Sequence, residues 1–273
     1  MQIDFLKMHG LGNDFIIVDE RQDEIVPENK KAKFAEKFCQ RRFSVGADGV
    51  LFLERAKHHD LDMRIFNADG SEAENCVNGL RCTAFAIYKI ANYDGIKEFD
   101  ICTKAGPVHA TVKALNSKNA MVEIEVLGKR DYLGSDKISV EDRNFEYHSV
   151  NVGNPHVVIF LDEPIDDLDV EKYGHMIEYH EKFEPDRTNT EFVNATKNYT
   201  LKMRVHERGA CETQACGSGS LAIVIAACEA GYAKKNEWIT VKQPGGILEI
   251  LYGDKLRLKG QAELSFRGTF HFP

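Results

Sequence analysis

An internal repeat is the sequence feature that most constrains the fold of this chain. Residues 61–67, L-D-M-R-I-F-N, match residues 201–207, L-K-M-R-V-H-E, at a separation of 140 positions. At the same separation the pattern E-x3-C-x2-G occurs twice, first from Glu72 and then from Glu212. A Gly-Asn pair precedes each of these blocks, and its two copies are 141 positions apart. Three blocks in one order and at nearly one spacing predict two similar halves.

The repeat predicts two domains related by a pseudo-twofold axis. The first would cover residues 1–118 and the second residues 119–263, while the closing segment 264–273 could return to either half and complete the first. With 273 residues and a hydrophobic content of 43%, the chain is long enough for two domains and a sizeable core. No Gly/Ser-rich or Pro-rich linker separates the halves, which predicts that they pack tightly.

The predicted fold class is α/β (α+β), with strands and helices in both halves. Strands are predicted at residues 5–18, 49–54, 62–66, 120–126, 149–160, 201–206, 238–241 and 247–251. Helices are predicted at residues 31–39, 79–91 and 218–230. The last helix is apolar on nearly every face, so we expect it in the middle of a domain. Each half is therefore predicted to be a sheet around a central helix that follows one of the repeated cysteines.

Charge and hydrophobicity argue against several classes of binding partner and cellular location. The 35 basic and 43 acidic side chains give a net charge of -8, which argues against nucleic acid and anionic membranes, since both require a positive patch. The start, MQIDFLK, carries an acid and no apolar stretch, so no secretory signal is predicted. The longest apolar run, residues 221–228, is far shorter than the roughly 20 residues of a membrane span. A soluble, cytoplasmic protein is expected.

Two of the seven cysteines hold matched positions in the repeat. Cys76 and Cys216 each precede a Gly-containing turn and an apolar helix. The N–H groups at a helix N-terminus attract negative charge, so we expect a lowered thiol pKa there, and the same amides can hold a carboxylate. No cysteine spacing suggests a disulfide framework, which favours reduced thiols. Four cysteines are interpreted as core or inert residues: Cys39, Cys82, Cys102 and Cys228.

The repeat gives Cys76 and Cys216 a joint role. A pseudo-twofold axis would bring the two helix starts face to face across a cleft between the domains. A substrate carbon held there would have one thiol on each side, so one group could remove its α-proton while the other delivers a proton to the opposite face. Donors aimed at the substrate carboxylate would stabilise the enediolate charge, so pyridoxal phosphate is not required. This geometry predicts stereoinversion without a cofactor.

Simpler interpretations compete with this one. A single cysteine in a Gly-rich turn is usually a small buried residue, and only the repeat outweighs that interpretation here. Neither Cys76 with Cys82 nor Cys211 with Cys216 offers the four ligands of a zinc site, so no metal is predicted. Facing thiols could also form a switchable disulfide, as in a redox or non-catalytic protein. The G-L-G run at residues 10–12 resembles a dinucleotide loop but lacks the third glycine.

Five segments resemble the diaminopimelate epimerase family over essentially the full length of the chain. They are MHGLGNDFI at 8–16, GADGV at 46–50, FNADGSEAENCVNGLRCT at 66–83, NVGNPHVVI at 151–159 and ERGACETQACGSGSL at 207–221. The combination is specific, because two cysteine motifs and two Gly-Asn motifs occur in order. The resemblance implies two α/β domains, each a strongly curved mixed sheet around a central helix. It also implies a homodimer, and cofactor-independent interconversion of LL- and meso-diaminopimelate in lysine biosynthesis.

The resemblance implies roles for individual residues. Cys76 and Cys216 would be the acid–base pair, with His156 and Glu207 tuning the pKa values of the thiols. Backbone N–H groups after each cysteine would hold the carboxylate at the reacting centre, at Val77, Asn78, Gly217 and Ser218. The remaining residues that would line the substrate pocket are Asn13, Asn67, Asn154, Asn189, Glu207 and Arg208. Amide groups and a guanidinium fork suit the distal ammonium and carboxylate of this substrate.

Two departures from the family pattern affect substrate fit. The family usually has glycine after the first cysteine, where this chain has Val77, and a β-branched side chain restricts that turn. The family also usually has glycine where Cys211 stands, so cysteine would be strained if that position requires a positive φ. A related racemase acting on proline, hydroxyproline or another amino acid stays open as an alternative, although Asn67, Asn189 and Arg208 argue against it.

Overall fold

The protein is described from a computed structural model that covers residues 2–126, 128–196 and 199–271. The chain forms two compact units. The first comprises Met1–Leu127 together with Lys259–Pro273, and the second comprises Gly128–Leu258. Within the described ranges, each unit is rich in strands and contains two α-helices. The predicted mixed architecture of two similar halves is confirmed.

The first unit folds mainly around the second of its helices. Its elements are β1 (Gln2–Gly10), β2 (Asn13–Glu20), α1 (Lys31–Phe38), β3 (Gly49–Glu54), β4 (Leu61–Asn67), β5 (Glu72–Ala73), α2 (Val77–Ile90), β6 (Ile96–Thr103), β7 (Gly106–Ala114) and β8 (Asn119–Val126). Every residue of α2 from Asn78 to Tyr88 is buried, and the helix packs against β1, β2, β7 and β8. The strands therefore enclose α2 as a central helix.

The second unit is built in the same way. Its elements are β9 (Asp131–Val140), β10 (Arg143–Asn151), β11 (Pro155–Phe160), α3 (Val170–Glu178), β12 (Asn189–Thr196), β13 (Thr200–Glu207), β14 (Cys211–Thr213), α4 (Gly217–Glu229), β15 (Trp238–Gln243) and β16 (Gly246–Tyr252). The last strand, β17 (Leu256–His271), begins in this unit, but most of it belongs to the first. The apolar helix α4 is buried from Ser220 to Ala227, as its sequence predicts.

Strand pairing repeats between the units. In the first, β1–β2 is antiparallel, β2–β3 parallel, β3–β4 antiparallel, β4–β6 parallel and β6–β7 antiparallel. In the second, β10–β11, β11–β12, β12–β13, β13–β15 and β15–β16 follow the same sequence of directions. Each sheet is therefore mixed, and the repeat read from the sequence corresponds to one topology used twice.

One ion pair shows how the repeat is conserved in three dimensions. Arg64 of β4 donates from Nε to Glu72 of β5 at 2.7 Å, and Arg204 of β13 donates from Nε to Glu212 of β14 at 2.7 Å. Both residues of each pair are 140 positions from their counterparts. The pair joins a long strand to the short strand that precedes the central helix in each unit.

The unit boundaries differ from those predicted. The first unit does not end at residue 118, because β8 pairs with β7 and so continues the first sheet through Val126. The closing segment joins the first unit from Lys259 onwards rather than from residue 264, and β17 pairs antiparallel with β1. Of the predicted segment 264–273, positions 272 and 273 lie outside the described residues.

Two predicted strands are each split by a turn. Residues 5–18 form β1 and β2, joined through Leu11 and Gly12, whose φ values are 59° and 91°. Two consecutive positive φ values are typical of the two-residue turns that close tight hairpins. The G-L-G run at residues 10–12 is therefore part of a hairpin turn and not a dinucleotide-binding loop. Residues 149–160 are split likewise between β10 and β11 around Gly153, at φ 109°.

Among the described residues, no helix is long and apolar enough to cross a membrane.

Candidate active site

Cys76 and Cys216 are the N-cap residues of the two central helices. Cys76 is extended, with φ −151° and ψ 111°, and its sulfur accepts a 3.3 Å hydrogen bond from the N–H of Gly79. Cys216, with φ −119° and ψ 113°, accepts a 3.3 Å bond from the N–H of Gly219. The N–H groups of the first two residues of a helix have no intrahelical acceptor. Each unit therefore places a sulfur beside two amides oriented to bind an anion.

A polar network surrounds Cys76. Its thiol donates to Asn13 Oδ1 at 3.8 Å, and the Asn78 side-chain amide donates to the same oxygen at 3.1 Å. Asn78 accepts in turn from Arg81, whose Nη2 lies 2.9 Å from Asn78 Oδ1. Burial lowers the pKa of the Arg81 guanidinium, and charge on Cys82 and Cys76 opposes that effect. Asn13, Asn78 and Arg81 therefore form a hydrogen-bonded chain that leads to the sulfur.

Cys216 lies in a drier environment. Its side chain is 4% exposed, and its backbone N–H donates to Gln243 Oε1 at 3.1 Å. The Ser218 hydroxyl lies 3.4 Å from the sulfur. Ser220 donates from its hydroxyl to the Cys216 carbonyl at 2.7 Å, within the first turn of α4. The sulfur is thus held by the start of its own helix and largely shielded from water.

The pKa of the Cys216 thiol is raised well above its usual range. Burial is the main cause, and the negative charges of Glu207 and Glu191 add to it. Hydrogen bonds from Ser218 and from the Gly219 N–H oppose the rise but are smaller. The predicted lowering of the thiol pKa is therefore wrong for Cys216, because desolvation outweighs the attraction of the helix N-terminus.

A buried imidazole–carboxylate pair lies in the same half. His156 Nδ1 is 2.6 Å from Glu191 Oε1, and neither side chain has exposed surface. His156 Nε2 lies 3.1 Å from Asn154 Oδ1. Burial raises the pKa of Glu191, and the charge and the hydrogen bond of His156 oppose that rise.

Glu191, which the sequence did not single out, lies beside the candidate site in the second unit. A Cβ added at Gly219 would stand 2.6 Å from Glu191 Oε1, so the carboxylate lies directly against the first turn of α4. In the first unit the matching glycine, Gly79, faces Leu51 Cδ2 at 3.2 Å. Leu51 and Glu191 are 140 positions apart. Comparing the repeats position by position would have revealed an acid where the other half has a core leucine.

Asn189 organises the predicted binding loop. Its amide donates to the Pro155 carbonyl at 2.9 Å, and its Oδ1 accepts from the Arg208 N–H at 3.0 Å. The Arg208 side chain is exposed, and its guanidinium donates to the Asp186 carbonyl. The backbone of the loop is thus fixed by a buried asparagine while its guanidinium extends into solvent. Asn189 acts here through the loop that it holds.

Three other predicted residues have clear local positions. Asn67 ends β4, and its amide donates to Ser71 Oγ at 3.0 Å within the turn to β5. Val77 is the first residue of α2, a helical position that does not strain a β-branched residue. Cys211 has φ 63°, so the expected strain at that position is confirmed, at about 1–2 kcal/mol for a non-glycine residue. The seven cysteines, all within the described ranges, are free thiols in the structure.

The two half-sites predict different thiol reactivities. We expect iodoacetamide at neutral pH to alkylate Cys76 well before Cys216, because the thiolate is the nucleophile. Cys76 is half-buried beside a buried cation, whereas Cys216 is enclosed and has a raised pKa. Peptide mass mapping of a time course measures both sites at once, with exposed Cys211 as an internal reference for a freely accessible thiol. Alkylation of Cys216 ahead of Cys76 would contradict this electrostatic difference.

Glu207→Gln tests the influence of charge on Cys216. Removing a negative charge near a thiol favours its thiolate, so the pKa of Cys216 is expected to fall and its alkylation to begin at lower pH. The glutamine can keep the hydrogen bond that Glu207 Oε1 accepts from the Thr213 hydroxyl. Glu229→Gln, at the far end of the same helix, is the matched control. If the pH dependence of Cys216 alkylation is the same in Glu207→Gln as in the unchanged protein, Glu207 does not influence the pKa of Cys216.

The chain matches the protein family described as diaminopimelate epimerase over residues 5–127 and 148–262. It is 38% identical to a diaminopimelate epimerase from Carboxydothermus hydrogenoformans, and the match covers 98% of this chain and 99% of that protein. It is 40% identical to a chloroplastic diaminopimelate epimerase from Oryza sativa subsp. japonica, over 97% of this chain and 79% of that protein.

Solved structures share the fold at low sequence identity. A hydroxyproline epimerase from Agrobacterium vitis, solved with bound trans-4-hydroxy-L-proline, has a TM-score of 0.72 at 11% identity, covering 98% of this chain and 92% of that one. A phenazine biosynthesis protein of the PhzF family from Bacillus anthracis has a TM-score of 0.72 at 15% identity, with complete coverage of both chains. These similarities show that the chain shares the fold of these proteins, and they do not identify its substrate.

Proposed function

Because the chain belongs to the diaminopimelate epimerase family, and is therefore an epimerase of the isomerase class, we propose that it interconverts LL- and meso-diaminopimelate without a cofactor. The proposed catalytic pair is Cys76 and Cys216. The observation that carries this proposal is that both sulfurs occupy the N-cap of equivalent central helices in a twofold repeat. Racemisation by two bases requires two such groups, one for each face of the α-carbon.

The proposed reaction moves one proton in and one out. A thiolate takes the α-proton and becomes a thiol, while the electron pair of the C–H bond passes into the substrate carboxylate as an enediolate. The other thiol then protonates the opposite face of the carbon and becomes a thiolate. The amides after each cysteine, at Val77, Asn78, Gly217 and Ser218, would hold the carboxylate and stabilise its developing charge. Return to the starting state exchanges the protonation of the two sulfurs.

The electrostatics suggest which sulfur starts as the base. Burial and the negative charges of Glu207 and Glu191 raise the pKa of Cys216, which favours its thiol form. In the free enzyme Cys76 would therefore remove the proton and Cys216 would deliver one. We place His156 and Glu191 as a buried support for the second half-site. They are hydrogen-bonded to each other, so they would orient groups around the start of α4.

Polar groups would bind the distal end of diaminopimelate, which is the amino-acid group that does not react. It carries an ammonium and a carboxylate, which require acceptors and a forked donor. Arg208 offers a guanidinium whose described hydrogen bond is to a single carbonyl, that of Asp186, and its loop is held by Asn189. Asn13, Asn67 and Asn154 are proposed to complete the pocket. A substrate without this end would leave such groups unpaired, so strong discrimination is expected.

A stereochemical assay tests the proposed function. Purified protein is incubated with LL-diaminopimelate under reducing conditions, with no added cofactor, and the stereoisomers are separated by chiral chromatography. Formation of the meso isomer to an equilibrium mixture supports the proposal. Turnover of proline or hydroxyproline instead would support the alternative that this fold serves a different amino acid, as it does in the hydroxyproline epimerase of similar structure. Loss of activity on oxidation, with recovery by reductant, is expected for thiol catalysis.

Three finer expectations stay predictions. They are the homodimeric state, the cytoplasmic location and the supply of product to lysine biosynthesis. The cleft between the domains also stays a prediction.

A further inference from the structure

A second cluster of ligating side chains joins α3 to β13. His175 and Glu178 are three positions apart on α3, which places them on one face of the helix, and His206 lies near the end of β13. One ligand atom of each residue lies within 4.8 Å of those of the other two. Glu178 and His206 are buried, whereas His175 is exposed. The sequence reasoning assigned no function to these three residues.

The cluster is held by close packing and by hydrogen bonds. A Cβ at Gly174 would stand 2.2 Å from His206 Cβ, so glycine is what allows α3 to approach β13 this closely. Glu178 Oε2 lies 2.9 Å from His206 Nε2. Its other oxygen accepts from Arg187 Nη1 at 3.1 Å and from the Gly209 N–H at 3.2 Å. Metal-binding carboxylates are commonly oriented by such outer hydrogen bonds.

The protonation of His206 is compatible with metal binding. Its Nδ1 is buried and has no hydrogen-bond partner among the described residues. The proton of a neutral imidazole can lie on Nδ1 when an ion replaces the hydrogen bond between Nε2 and Glu178 Oε2. Nε2 would then offer its lone pair beside Glu178 Oε2, where a cation between the two atoms relieves their repulsion.

We propose that His175, Glu178 and His206 bind a divalent transition metal ion of the zinc class. Two imidazoles and one carboxylate are ligands that suit zinc, with a fourth position left for water. Ligands at about 2.0–2.2 Å from a tetrahedral ion stand roughly 3.3–3.6 Å apart. Glu178 Oε2 and His206 Nε2, which are 2.9 Å apart, would separate slightly, and the exposed His175 side chain would rotate to complete the site. The ion would also fix the carboxylate that holds the N–H of Gly209, next to the proposed substrate loop.

A zinc titration followed by calorimetry tests the site. Cys76, Cys211 and Cys216 are first replaced by serine, because thiols would bind the ion by themselves. The full-length protein is then titrated with zinc chloride, and binding of one ion per chain is expected. His175→Ala should weaken that binding at least about 100-fold, since removing even outer-shell partners of a metal commonly costs 10–100-fold. His109→Ala, another exposed histidine beside a carboxylate, should leave it unchanged.

Cobalt provides a second measurement on the same protein. Cobalt(II) in the site should give the visible absorption of a four-coordinate ion, and His175→Ala should abolish it. His175 is exposed, so its replacement is expected to leave the thermal melt of the metal-free protein unchanged. Zinc binding that is absent, or that is unaffected by His175→Ala, overturns the proposal. Neither measurement depends on epimerase activity, so failure here is distinguishable from failure of the proposed function.

Discussion

Cys76→Ala and Cys216→Ala are each expected to lower kcat for epimerisation by roughly 10²–10⁴-fold or more in both directions. Each variant removes a group that must either take or give a proton, and no other residue is proposed to replace it. The measurement is initial rate from each stereoisomer. The two sulfurs are N-caps, so thermal melts of both variants are needed to separate a catalytic loss from unfolding.

Cys228→Ala is the matched control for these variants. Cys228 lies at the opposite end of α4 from Cys216, and burial raises the pKa of its thiol to about 11. It is therefore an unreactive thiol on the same helix, and its replacement should leave the rates nearly unchanged. Near-normal turnover in either Cys76→Ala or Cys216→Ala would contradict a mechanism with two thiol bases.

Arg208→Ala is expected to weaken substrate binding by about 1–3 kcal/mol, which is roughly 5–150-fold in KM. The reason is the loss of a forked cation for the distal carboxylate. The bond from the backbone N–H of Arg208 to Asn189 Oδ1 survives the change, so the loop should keep its position. Arg208→Lys should give an intermediate loss, because lysine retains the charge without the planar fork.

Arg143→Ala controls for a general effect of charge. Arg143 pairs with Glu163 on the surface of the second unit and has no proposed role in binding. Its replacement should leave KM unchanged. A normal KM for diaminopimelate in Arg208→Ala would show that the distal carboxylate is bound elsewhere, and the choice of substrate would then need another explanation.

The internal repeat made the topology that the two units share predictable from the sequence. Matched residues such as Arg64 and Arg204 occupy matched strands, and each forms the same ion pair with the short strand that precedes its central helix. Helix α3 was not predicted, since Gly174 in its interior is unfavourable for a helix on its own. That glycine is required by the close approach to His206, a tertiary contact that local sequence does not reveal.

Position in the repeat singled out Cys76 and Cys216, and the structure places each at the N-cap of a central helix. The sequence did not predict the electrostatics around these two residues. The direction of the Cys216 pKa depends on how deeply the sulfur is buried and on Glu191, which approaches from β12. Burial of that kind arises from long-range packing, which local sequence does not reveal. The expectation that a helix N-terminus lowers the pKa of a thiol therefore gave the wrong direction for Cys216.

Epimerisation in deuterated water tests the central claim most directly, that two thiols share one reaction. The proton taken from substrate stays on one sulfur, while the other sulfur delivers a solvent-derived deuteron. The account predicts that product carries deuterium at the α-carbon from the earliest times, while recovered substrate initially carries much less. Equal early labelling of substrate and product would indicate a single shared base and would contradict the two-thiol mechanism.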